Sequence, residues 1–152
     1  MRRVALLIAL VLAGCGGDDE PPNPDADAGE FLQPITADHL GGEFSDTWEE
    51  LHPAHQALIS QIQFVYCGEQ EPELDEDTTV RILSVRPVQT EFPRIPQGRA
   101  QAVRIEIRDD EGIVDSYTAH AVRVEDKWRW VLSRPFVSAV ESGNCPDGSP
   151  LP

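Results

Sequence analysis

Ala100-Gln101-Ala102-Val103-Arg104-Ile105-Glu106-Ile107-Arg108 is the stretch from which the rest of the chain can be read. Val103, Ile105 and Ile107 fall on one side of a period of two, and Arg104, Glu106 and Arg108 on the other. That alternation belongs to a strand with one buried and one wet face. Asp109-Asp110-Glu111-Gly112 then reads as a hairpin turn into a second strand, Ile113 to Val124. Glu125-Asp126 turns the chain again into Lys127 to Leu132, where Trp128, Trp130 and Leu132 alternate with Arg129 and Val131. Before the opening stretch, Thr79 to Val88 predicts a strand closed at Pro87 and followed by a Pro-rich loop at Pro93 and Pro96. After Pro135, Phe136 to Val140 predicts one more extended segment. Consecutive strands with short turns form an antiparallel meander.

Upstream of Asp77 the pattern turns helical. Thr36 can cap a short helix that Gly41-Gly42 ends, and Asp46 with Glu49 resembles a capping pair. Pro53 suits the first turn of another helix. Leu58, Ile62, Val65 and Tyr66 lie at helical spacing and predict a buried stripe, and Ser60 with Gln63 forms a capping box within it. Two or three helices between Thr36 and Cys67 must bury that stripe on the sheet, so the fold class is α+β.

The N-terminus has a different character. Arg2-Arg3, an unbroken apolar run from Val4 to Leu12, and the small residues Ala13-Gly14 make the three parts of an export signal. Nine apolar residues span roughly 13 Å as a helix, against a hydrocarbon core of about 30 Å. The run is too short for a permanent membrane span. Leu12-Ala13-Gly14-Cys15 resembles the lipobox of bacterial lipoproteins. That resemblance implies a diacylglyceryl group on Cys15, cleavage before it, and a membrane partner reached through the lipid. Gly16 at the following position implies the outer membrane where a cell has one, and otherwise the outer face of the cytoplasmic membrane. Residues 1–14 are thus read as a signal peptide and 15–34 as a lipidated cysteine with a disordered acidic Pro/Gly tether. Residues 35–141 form the domain and 142–152 a C-terminal tail.

Charge and cysteines bound the function. The formal net charge is −15, and cleavage after Gly14 leaves 10 basic against 27 acidic residues. Such acidity opposes nucleic acid and anionic lipid surfaces as partners. Ile35 to Asp77 holds 11 acids and no Lys or Arg, whereas Thr78 onward holds 10 of each. Apart from Cys15 the chain has Cys67 and Cys145, which an oxidising compartment would pair.

Site candidates are few. Glu49, His52 and His55 repeat every three residues, a metal-ligand spacing on a continuous helix that Pro53 interrupts. His120 shares a strand face with Val122 and Val124, and a polar group there needs a partner or lines a cavity. No motif implies a cofactor.

Trp48-Glu49-Glu50-Leu51-His52-Pro53-Ala54-His55-Gln56, a later Cys67 and a meander ending in Trp128-Arg129-Trp130-Val131 together resemble the nuclear transport factor 2-like superfamily, closest to its small bacterial lipoprotein members. The resemblance covers roughly Ile35 to Val140. It implies a cone, with helices packed on a curved sheet of about four strands and a pocket at the open end. It matches no catalytic motif residue by residue. The expected function is therefore a membrane-anchored, non-catalytic domain binding a small apolar ligand or an envelope protein. The alternatives are an isomerase-, cyclase- or hydrolase-like enzyme with His120 as its acid–base, and a structural envelope protein without a ligand.

Overall fold

The structure is a computed structural model and describes residues 24–71 and 77–152. The expected signal peptide, Cys15, the first part of the expected tether and the acidic stretch at 72–76 lie outside those residues. Four antiparallel strands run in the order β1-β2-β3-β4: β1 Thr79–Phe92, β2 Ile95–Arg108, β3 Ile113–Val124 and β4 Lys127–Val131. The α+β class and the curved antiparallel meander are as the sequence predicts. Alternation sets the register: Val103 pairs with Ala119 and Val85, and Ile105 with Tyr117 and Ile82. Bulges between Ile82 and Ser84, Thr90 and Phe92, and Ile107 and Arg108 bend the sheet.

The first two strands are longer than expected. Pro87 does not end β1 but pairs with Gln101 within it. β1 is an edge strand, where an amide without a proton costs no ladder bond. The supposed Pro-rich loop is a tight turn at Pro93-Arg94, with Arg94 at φ 62°. At the opposite edge Leu51 bridges Trp130. The N–H of His52 donates to the Trp130 carbonyl at 2.8 Å, and the N–H of Trp130 to that of Glu50 at 2.9 Å.

Helix α1, Pro24–Leu40, packs on the face of Val103, Ile105, Ala119 and Ala121. This corrects the tether: its second half is helix, and Thr36 lies inside that helix, not at its cap. Ala28 and Leu32 are buried one turn apart. A Cβ on Gly29 would stand 3.0 Å from Val85 Cγ2, so the helix sits as close to β1 as a residue without a side chain allows. Pro34 occupies an exposed position of the helix.

Three short helices follow: α2 Phe44–Glu49, α3 Pro53–Gln56 and α4 Gln61–Gly68. The Ser60–Gln63 capping box is present. The Asp46–Glu49 pair is not, because α2 starts earlier, after Glu43, and no side chain caps it. The buried stripe also differs: Ile59, Phe64 and Cys67 are buried and Ile62 is 78% exposed. The helix restarts at Ser60, so periodicity carried through from Leu58 falls out of phase. Residues Phe136 to Val140 are helical too, within α5, Arg134–Glu141. Ser133 Oγ accepts from the Phe136 N–H at 3.3 Å and Pro135 fills the first turn, which suits a helix start rather than a strand.

Leu51, Ile59, Phe64, Leu132, Val137 and Val140 form a second core beside the sheet, joined by a Cys67–Cys145 disulfide with Cα atoms 5.3 Å apart. Helices α2 and α4 meet there through Gly68, where a Cβ would lie 2.4 Å from Phe44 Cδ1. Gly68→Ala is expected to cost about 2 kcal/mol through overpacking, read as a lower midpoint in urea unfolding with an unchanged slope.

Candidate functional site

Helix α1 turns two faces outward from its axis, and only one meets the sheet. The other, Phe31, Pro34, Ile35 and Asp38 at helical spacing, forms one wall of a cleft of about 540 Å3. The opposite wall is Asp46, Thr47 and Glu50 from α2, with Lys127, Trp128 and Arg129 from β4. That volume is in the range of small-molecule sites.

The walls are fixed from behind. Arg129 Nη1 donates to Glu50 Oε2 and to the Glu49 carbonyl, each at 3.1 Å, tying β4 to the end of α2. Trp48 Nε1 donates to the Ile59 carbonyl at 2.9 Å, and Gln56 Nε2 to the Trp48 carbonyl at 3.0 Å. Arg123 lies 4.8 Å over the Trp128 ring. Among the described residues no ion pair engages Asp38, Asp46 or Lys127. The cleft therefore joins an apolar wall to two unpaired carboxylates and one unpaired ammonium.

The histidines do other work. His55 is fully buried: its Nδ1 accepts from the Leu132 N–H at 3.1 Å, and its Nε2 donates to the Pro93 carbonyl at 3.0 Å. Both ring nitrogens are occupied, so His55 has no lone pair for a metal. His52 caps α3, its Nδ1 accepting from the Ala54 N–H at 3.1 Å, and Glu49 points to solvent. Among the described residues no cluster of three or more His, Cys, Asp or Glu could hold a metal ion.

His120 lies on the sheet face away from α1, half-buried, its ring 5.0 Å from that of Phe92. No carboxylate among the described residues pairs with it, and it does not line the cleft. Burial, and to a lesser degree Arg86, lowers its pKa. Burial lowers those of His55 and His52 as well, His52 also feeling His55 and Arg129.

The cleft residues were not singled out from sequence. Reading α1 through Pro34 would have placed Phe31, Ile35 and Asp38 on one face, but β4 enters only through the fold. No helix among the described residues is long and apolar enough to cross a membrane. No family model, curated protein or solved structure matches the chain.

Proposed function

We propose that the chain is a lipid-anchored, non-catalytic binding module of the nuclear transport factor 2-like type, held at the bacterial envelope by Cys15. Its cleft takes a small amphipathic molecule with an apolar body and a cationic group. The observation that carries the reading is the lining of the cleft, with Phe31, Ile35 and Trp128 beside unpaired Asp38 and Asp46. An apolar body gains by covering those side chains, at about 25 cal/mol per Å2 removed from water. A cation gains from carboxylates whose only unpaired opponent in the cleft, among the described residues, is Lys127. The ligand expected from sequence was simply apolar, and the charged wall adds the head group.

The test uses hexylammonium, hexanol and hexanoate, equal in length and different in head group, followed by Trp fluorescence. Hexylammonium is expected to saturate the signal at the lowest concentration. Asp38→Asn with Asp46→Asn is expected to weaken it about tenfold while leaving hexanol unchanged. Equal response to all three compounds, or none that saturates, would sink the reading.

A further inference from the structure

The sheet has a second face, away from α1. At the β1–β2 turn it is closed by Ala100, Val122 and Val131 with Phe92 and Ile95 over them. Toward the β2–β3 turn its side chains become polar, as the alternation of β2 requires. Register places Ser84, Arg104 and Thr118 in one row across three strands, with Arg86, Ala102 and His120 in the row beside it. Arg81, Glu106 and Ser116 make the row on the other side.

Arg81, Arg86 and Arg104 are exposed, and among the described residues none of them is in an ion pair. Arg108 is exposed at 43% of its side chain and holds Glu106, the one carboxylate of this face among the described residues, at 3.2 Å. Four guanidinium groups thus oppose one neutralised acid, in a chain whose formal charge is −15.

We propose that this arginine face is a docking surface for anionic phospholipid head groups. Charge complementarity selects the partner, since guanidinium groups pair with phosphate through parallel N–H donors. The net charge does not forbid it. Fields are screened over about 8 Å at physiological salt. The acids at the end of α2 lie beyond β4, at the edge of the sheet opposite β1, where Glu50 is paired with Arg129. Along the strand Asp109 lies about 16 Å from Arg104, Asp115 opposite Ile107 has the parity of the α1 face, and Asp77 precedes Arg81 by four residues, so the positive centre of the face is Arg86 and Arg104. The acyl chains expected on Cys15 already suffice for anchoring, so the face would set how the domain lies on the membrane rather than whether it stays there. The proposal takes its setting from the anchored reading of Cys15.

The experiment leaves the anchor out, so that the two readings fail separately. The chain from residue 15 onward, without the signal segment and carrying Cys15→Ser, is sedimented with phosphatidylcholine vesicles and with vesicles enriched in phosphatidylglycerol. Binding is expected on the phosphatidylglycerol vesicles alone, and it is expected to fall as salt rises. Arg86→Gln with Arg104→Gln is expected to weaken it about thirtyfold. Arg94→Gln, on the salt bridge to Glu141 outside this face, is expected to leave it unchanged. Both variants replace exposed residues, and an unchanged melting temperature verifies their folding. Equal binding to the two vesicle types, no binding, or binding indifferent to Arg86 and Arg104 would overturn the proposal.

Discussion

Replacing Cys67 and Cys145 together with Ser is expected to remove about 4.5 kcal/mol of stability, from the entropy of closing a loop that spans 78 residues. Domains of this size are stable by about 5–15 kcal/mol, so the loss is a large share of the whole. At about 3–4 °C per kcal/mol the melting temperature should fall by about 15 °C. The bond joins the buried end of α4 to the segment after α5, and both cysteines lie in the same core as Phe64 and Val140. Without it, α5 keeps only the apolar contacts of Phe136, Val137 and Val140 and its hydrogen-bonded ties to the β1–β2 turn. Thermal melts of the oxidised chain with and without reductant measure the effect directly. Coincident melts would show that packing alone holds the C-terminal segment.

The second large effect is expected at His55. His55→Leu keeps roughly the volume but orphans the Leu132 N–H and the Pro93 carbonyl, both bonded to the ring. An unpaired buried group costs about 1–3 kcal/mol, and the half-buried Pro93 carbonyl less, so a loss of about 3 kcal/mol is expected in denaturant unfolding. The same geometry gives the native chain a pH dependence. His55 and His52 bind protons more weakly folded than unfolded, and so does His120. Their neutral forms stabilise the fold fully above the unfolded value of about 6.5. That contribution is lost as pH falls from there toward the depressed folded values. A second proton on His55 must go to Nδ1, the atom that accepts from Leu132, so protonation breaks the clasp. Melting temperature is expected to be level above pH 7 and to fall between pH 6.5 and 5, with a shallower fall in His55→Leu. Equal slopes for the two chains would remove His55 from the account.

The strands were readable from sequence because each states its pattern locally. Alternation in Val103–Arg108, the turn Asp109–Gly112 and the pair Glu125-Asp126, both in the left-handed region at φ 50° and 65°, need no distant partner to be recognised. Helix α1 was hidden for a physical reason. Its sheet-facing side carries Ala28 and Gly29 because the backbone approaches Val85 and Ile82 closely, and small residues give no hydrophobic signal. Acidic, Pro-flanked Asp-Ala repeats then look like tether. Phe136 to Val140 fits either period over so short a run, and the cap at Ser133 decides it. The cleft was beyond local reading, since α1 and β4, which face each other across it, lie about 90 residues apart in the chain and meet only when β4 pairs with Leu51.

That pairing at Leu51 also determines how the molecule behaves toward copies of itself. A β-sheet ordinarily ends in two rows of unpaired amides, either of which can template growth by a neighbouring chain. Here Leu51 occupies part of the row beside β4, while β1 presents Pro87, two bulges and exposed Arg81 and Arg86. An incoming strand would meet a missing donor, a broken ladder and positive charge on one side, and an occupied position on the other. Crowding would therefore press these domains together without giving them a seam along which to polymerise.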